Sequence, residues 1–330
     1  MIYTEEFQTF LKSPAFLEPL GLETVPDFTP LGQGEYNVNY TFDHPDGRKL
    51  VLRINRGSQM HLNDQIGYEF SALKALEPSG RTPKAFFCDS GHNCLVMEHL
   101  PGRPLRYETD METAAEIFAD IHALPPAPGL IEPENPLEAI IDECRQMVEH
   151  YYIWDKADPE VVRLLETLEK EISSKDLTAP AGLRKCIVNT EVNSGNFLIN
   201  PGGRSFLIDW EKPLISEPAQ DLGHFLVPTT TFWKTDVILT PEEIQHFVSC
   251  YRKAVDNRFE TESLMERLPL YFTVTCLRGV TWCAMAYREY SQPGRAIANA
   301  DTYRKLQDYL RPDFLENLLK NYVRRDFLKG

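Results

Sequence analysis

The first hundred residues alternate apolar and polar positions in short runs, at 36–42, 49–54, 85–88 and 94–97, and each run reads as a half-buried strand. Turn-forming residues such as His44-Pro45-Asp46-Gly47 separate them, which predicts an antiparallel sheet joined by hairpins. One helix interrupts the strands over residues 63–76, where Ile66, Phe70, Leu73 and Leu76 share a face. After Pro101-Gly102 the period becomes helical. Thr109 with Glu112 predicts a capping box ahead of Ala114, Ile117, Phe118 and Ile121. Asn135-Pro136, Asp158-Pro159 and Thr240-Pro241 each set a capping residue before a proline suited to the first helical turn, which predicts three more helices. The helical run breaks once, where 185–188, 197–199 and 205–208 read as short strands and Asn200-Pro201-Gly202-Gly203 turns between the last two. The expected fold is α+β and bilobal. A small sheet lobe with one helix occupies residues 1–100, and a larger helical lobe with an embedded hairpin occupies residues 101–330.

Composition narrows the partners. The chain has 330 residues, 42% of them hydrophobic, which is ample for a real core. A net charge of -15 argues against nucleic acid or an anionic membrane as a partner and makes a cationic small molecule electrostatically welcome. No window approaches the roughly 18 apolar residues of a membrane span, and the N-terminus lacks the basic and apolar regions of a secretion signal, so a cytoplasmic protein is expected. The seven cysteines, Cys88, Cys94, Cys144, Cys186, Cys250, Cys276 and Cys283, show neither CxxC nor metal-ligand spacing. They read as reduced and mostly buried thiols.

Three segments carry candidate chemistry. In Leu31-Gly32-Gln33-Gly34-Glu35-Tyr36-Asn37, the glycines Gly32 and Gly34 would let backbone N–H groups approach phosphate oxygens, although an ordinary hairpin turn has the same composition. In Val51-Leu52-Arg53-Ile54, alternation puts Arg53 on the face of Val51, beneath that turn, where Glu69 of the following helix could orient it. The third segment is Ile187-Val188-Asn189-Thr190-Glu191-Val192-Asn193-Ser194-Gly195-Asn196-Phe197-Leu198-Ile199, a polar loop between apolar strands. It offers Glu191 and, five residues later, Asn196; a hairpin would then bring Asn196 close to Asp209, and such oxygen ligands suit Mg²⁺.

These segments resemble the aminoglycoside phosphotransferase and choline kinase superfamily, relatives of protein kinases that phosphorylate small molecules. The family's catalytic loop, His-x-Asp-x-x-x-x-Asn, corresponds to Asn189-Thr190-Glu191-Val192-Asn193-Ser194-Gly195-Asn196, and its metal-binding strand to Leu207-Ile208-Asp209-Trp210-Glu211. Further matches are residues 115–125, the hinge Leu95-Val96-Met97-Glu98-His99-Leu100-Pro101-Gly102, and Glu217-Pro218-Ala219-Gln220-Asp221-Leu222. The resemblance spans residues 28–225 and implies the two-lobed protein-kinase-like fold.

By that resemblance, Gly32, Gly34 and Asn37 cover the phosphates of ATP, Arg53 contacts them and Glu69 pairs with Arg53. Backbone groups of Glu98 and Leu100 would meet the adenine. Asn196 and Asp209 would hold Mg²⁺, and Glu191 stands where the family keeps the base that orients the acceptor hydroxyl. Three positions depart from the family: Arg53 replaces the usual Lys, Glu191 the usual Asp, and Asn189 the usual His. The acceptor site is expected in the helical lobe, with Glu211, Asp221, His224 and Trp282 as candidates. Aromatics with carboxylates suit a quaternary ammonium or an amino sugar, while Leu277, Val280 and Ala284 around Trp282 suit a core helix equally. The expected function is ATP- and Mg²⁺-dependent transfer of a phosphoryl group to a hydroxyl of an amino alcohol such as choline, or of an amino sugar. The alternatives are a pseudokinase that keeps a nucleotide-binding scaffold, and nucleotidyl transfer.

Overall fold

The computed structural model describes residues 4–34, 36–58, 60–180, 182–292 and 300–325. Two helices open the chain, α1 (Glu5–Leu11) and α2 (Pro14–Leu20). Five strands follow: β1 (Thr29–Gln33), β2 (Asn37–Asp43) and β3 (Lys49–Asn55), then β4 (Ala85–Asp89) and β5 (Cys94–Glu98) after the helix α3 (Gln65–Leu76). They form one antiparallel sheet in the order β1-β2-β3-β5-β4. The four strands and the helix read from periodicity are present. Helices α1 and α2 and strand β1 are additions.

Strand alternation divides the side chains of the sheet between two cores. Leu50 and Leu52 of β3, with Val38, Tyr40, Phe42, Cys94 and Val96, pack under Phe7, Phe10, Phe16 and Leu20 of α1 and α2. Val51, Leu95 and Met97 face the other way, toward α3 and the main core. Arg53, two residues from Val51, shares that inner face, so one charged residue is built into an otherwise apolar surface.

The second lobe begins with α4 (Met111–His122), α5 (Pro136–Tyr152) and α6 (Pro159–Ser173). The side chains of Asn135 and Asp158 cap α5 and α6 as their sequences predict. The box predicted from Thr109 and Glu112 is corrected: α4 starts at Met111 with Asp110 as its N-cap, and no side chain caps it. The Asp110 carboxylate is instead taken by the Arg103 guanidinium, at 2.6 and 3.0 Å, and by the Arg106 N–H at 2.8 Å. A charge-assisted fork is a stronger partner than a helix-end amide.

Four short strands follow, β6 (Cys186–Val188), β7 (Phe197–Leu198), β8 (Phe206–Leu207) and β9 (Leu214–Ser216). The hairpin β7–β8 is the expected one, whereas β6 pairs with β9, which the sequence reading lacks. Then come α7 (Pro218–Leu226), α8 (Pro228–Lys234), α9 (Pro241–Val255), α10 (Leu264–Tyr290), α11 (Ala300–Tyr309) and α12 (Pro312–Leu318). Thr240 caps α9 in a full capping box with Glu243. The core of this lobe centres on Phe118, Phe197, Phe225 and Phe247, whose rings meet at centroid distances of 5.1–6.3 Å.

The linker between the lobes is docked. Arg103 and Ile199 exchange backbone hydrogen bonds of 3.0 and 2.7 Å. Gly102 has φ +148°, and a Cβ there would lie 2.7 Å from the Leu198 backbone, so only glycine permits this approach. Among the described residues no helix is long and apolar enough to cross a membrane. All seven cysteines are free and five are buried.

Candidate active site

The cleft between the lobes is lined by polar side chains, which the two backbones set in place from opposite sides. From the sheet, Arg53 reaches down from β3. Its Nη1 donates to Glu69 Oε1 at 2.5 Å and to Asp209 Oδ1 at 3.2 Å, and its Nε donates to Asn39 at 3.1 Å. The Glu69 side chain is 2% exposed, and its Oε2 has no hydrogen-bond partner among the described residues. Burial pushes the Glu69 pKa up despite the guanidinium beside it. Burial opposes the charge of Arg53, but Glu69 and Asp209 outweigh it and hold the guanidinium more firmly protonated. The Arg–Glu pair expected from sequence is therefore formed, and Arg53 already touches Asp209 across the cleft.

The glycine turn lies above. Gly32 falls in β1, where the register shifts, and the Gly34 N–H closes the turn on the Asn37 carbonyl at 2.8 Å. Glu35 lies outside the described residues. A Cβ added to Gly32 would meet no atom of the described residues within 4 Å, so no packing need among them demands that glycine. Asn37 accepts from Asn55 at 2.9 Å and donates to the Glu211 carboxylate across the cleft. At the end of β5, the Glu98 N–H is engaged by the Lys84 carbonyl at 2.8 Å, and Leu100 is buried.

From the second lobe, the loop after β6 is held by a buried carboxylate. Asp221, fully buried on α7, accepts from the N–H groups of Asn189 and Thr190 at 2.8–3.0 Å. His122 approaches its other side at 3.4 Å. Thr190 stands at φ 68°, a left-handed backbone that this clamp supports. Asn189, in the place of the family's His, ties the loop to the segment after β8. Its Nδ2 donates to the Asp209 carbonyl at 3.0 Å and its Oδ1 accepts from the Glu191 N–H at 3.0 Å. Asn196 donates to the Glu191 carbonyl at 2.7 Å and accepts through its own carbonyl from the Ile208 N–H at 2.8 Å. Trp210, fully buried with its indole N–H on the Leu207 carbonyl at 3.0 Å, pins the segment that carries Asp209.

Glu191, Asp209 and Glu211 thus converge, each offering a carboxylate oxygen within 4.8 Å of the others. Crowding tells on Glu211, whose pKa is pushed up to about 7 by burial and then by Asp209 and Glu191. An all-oxygen donor set of this charge fits a hard divalent cation such as Mg²⁺. Sequence reasoning placed Glu211 with the acceptor; the structure sets its carboxylate in this cluster.

The remaining acceptor candidates separate. Asp221 is sealed in the loop scaffold and presents nothing to the cleft. The His224 ring lies at the Thr190 backbone, and its pKa falls to about 3 through burial and then the Arg278 charge. Trp282 packs edge-on against Trp233, centroids 5.3 Å apart, and is partly exposed. Two residues of the site escaped the sequence reading. Lys212 donates to Glu191 Oε1 at 2.5 Å, and Arg278 on α10 binds Glu143 of α5 through Nε at 2.8 Å and Nη2 at 3.2 Å. Lys212 directly follows Glu211 and could have been noticed; Arg278 stands in no motif.

A sheet lobe and a helical lobe meeting over an arginine–glutamate pair and a carboxylate cluster define the two-lobed, kinase-like class. The sequence pattern of the phosphotransferase enzyme family matches residues 27–248, and the chain belongs to that family. Solved structures agree on the fold. The amicoumacin kinase hAmiN, in complex with AMP-PNP, Ca²⁺ and Ami, superposes with a TM-score of 0.65 at 15% identity over 99% of this chain and 97% of its own. The choline kinase LicA from Streptococcus pneumoniae gives 0.59 at 19% identity over 93% and 99%. A choline/ethanolamine kinase family protein from Mesorhizobium loti gives 0.60 at 18% identity over 92% and 91%.

Proposed function

We propose that this phosphotransferase moves the γ-phosphoryl group of ATP to a hydroxyl of a small molecule, with Mg²⁺. The observation that carries this reading is the convergence of Glu191, Asp209 and Glu211 on a point that Arg53 reaches from the other lobe. In this reading residues 1–100 bind the nucleotide and residues 101–330 supply the acceptor site. Gly32, Gly34 and Asn37 lie over the phosphates, and the hinge at Glu98 and Leu100 meets the base. Arg53 exchanges its contact with Asp209 for phosphate oxygens, to which a guanidinium binds strongly. Asp209, Asn196 and Glu211 would hold Mg²⁺, which supplies charge neutralisation on the phosphates when bound. Glu191 accepts the proton of the acceptor hydroxyl. The longer side chain in place of the family's Asp fits a loop whose backbone Asn189 and Asp221 hold. Use of ATP and seven unpaired cysteines suit a cytoplasmic enzyme.

Two variants with mass analysis of the product test the reading. Glu191→Gln should lower turnover by about a hundredfold or more while MgATP affinity holds. Asp209→Asn should remove the magnesium-dependent part of the stabilisation by ATP. A product heavier by a nucleotidyl group, or a Gln variant at the full rate, would overturn it.

A further inference from the structure

Beside Glu191 the charges are arranged against a cationic acceptor. Four charged side chains and one histidine gather there: Glu191 paired with Lys212, Glu143 paired with Arg278, and His224, on which both cations act. The two pairs lie within electrostatic reach of each other: Arg278 acts on Glu191 as well as on Glu143, and Lys212 acts on Glu143. Both carboxylates therefore already have a cation. Asp221 is sealed in the loop scaffold, and Asp209 and Glu211 face Arg53 and Asn37. A quaternary ammonium brought between these pairs would find Glu191 and Glu143 each already matched by a cation and would lie near two positive charges.

The cations, by contrast, have donors to spare. Arg278 is 25% exposed and uses its Nε and Nη2 edge on Glu143, and its Nη1 has no hydrogen-bond partner among the described residues. Lys212 spends one N–H of three on Glu191. One helical turn beyond Arg278, on the same side of α10, Trp282 adds a partly exposed ring.

We propose, resting on the phosphotransfer reading above, that the acceptor hydroxyl belongs to a compound with an anionic group, a carboxylate or a phosphate monoester, held by the free edge of Arg278 with Lys212 beside it. The chemistry balances locally. As the acceptor oxygen bonds to the γ-phosphorus, the bond from that phosphorus to the bridging oxygen breaks, ADP leaves with the electron pair, and the hydroxyl proton passes to Glu191. Glu191 is then neutral, and Lys212 and Arg278 exceed Glu143 by one positive charge, which favours an anion at the moment of transfer.

The test is a panel of matched acceptors with MgATP, read by ADP release and product mass. Glycerate is set against glycerol, homoserine against its amide and glucose 6-phosphate against glucose, with choline and kanamycin as the cationic arm. At least one member that carries the carboxylate or phosphate should exceed its partner without that group in kcat/KM by about tenfold or more, the scale of one charge-assisted hydrogen bond. Carboxylate and phosphate members separate the two sources of charge. Arg278→Gln should abolish that preference mainly through KM, with MgATP affinity unchanged, and Arg278→Lys should restore part of it. Turnover of choline or kanamycin above every anionic member, or a preference that survives in Arg278→Gln, overturns the anion site and leaves phosphotransfer standing. Calorimetric titration of the same compounds with MgADP reads binding alone. Anionic compounds that bind through Arg278 and are never phosphorylated would support the anion site and overturn phosphotransfer; if none binds or reacts, the anion site is overturned.

Discussion

The ammonium of Lys212 lies 2.5 Å from a carboxylate oxygen of Glu191, so the residue in the place of the base is held by a cation two strands further along the chain. The Lys212 carbonyl in turn accepts from the Thr190 hydroxyl at 2.9 Å, which locks the two segments together. In the proposed function Lys212 is therefore a positioning residue. Lys212→Met should lower kcat by roughly ten- to a hundredfold, since a shift of about 1 Å at a reacting group has that effect. MgATP affinity should stay nearly constant, and Lys212→Arg should recover part of the rate. An unchanged kcat in the Met variant would show that Glu191 needs no such support.

Arg53 serves the charged end of the nucleotide in the proposed function. Arg53→Ala should weaken ATP binding much more than adenosine binding, because the guanidinium has nothing to offer the nucleoside. The variant also leaves Glu69 buried without its cation, so its stability must be followed. Equal loss of both ligands in calorimetry would point to a collapsed cleft instead.

Asp221 is the keystone of the loop. Removing its carboxylate leaves two buried N–H groups unpartnered, and Asp221→Ala should cost about 3–5 kcal/mol in denaturant unfolding. Asp221→Asn, which keeps one acceptor oxygen, should cost less. A loss below about 1 kcal/mol for the Ala variant would mean that water replaces the clamp.

His224 gives the protein a specific acid sensitivity. Its folded pKa is about 3, lowered by burial and then by Arg278, against an ordinary 6.5. Between these values the unfolded chain binds a proton that the folded one does not, so stability is lost as pH falls from 6.5 toward 3. His224→Gln should narrow the difference in unfolding free energy between about pH 7.5 and about pH 4.5. An unchanged difference would mean that His224 protonates freely in the folded protein.

Much of this protein was legible in one dimension. Short-range periodicity determined β2 to β5 and α3, because alternation and helical spacing are properties of neighbouring residues. Asn135, Asp158 and Thr240 announced their helices, since a cap acts within one turn. The loop of Glu191 and Asn196 and the segment of Asp209 could be read because each is contiguous, and the Arg53–Glu69 pair because strand and helix follow one another. Thr109 is no cap because α4 starts after Asp110, and the Thr109 hydroxyl donates to the Asp110 carboxylate instead. Tertiary structure alone decided the rest. Only the folded chain buries Asp221 under the loop, turns Glu211 to Asn37, which is 174 residues away, and brings Arg278 of α10 within electrostatic reach of Glu191. The reason is physical: a charged side chain takes its role from the partners and solvent around it, and those are fixed by how distant helices pack rather than by any local spacing.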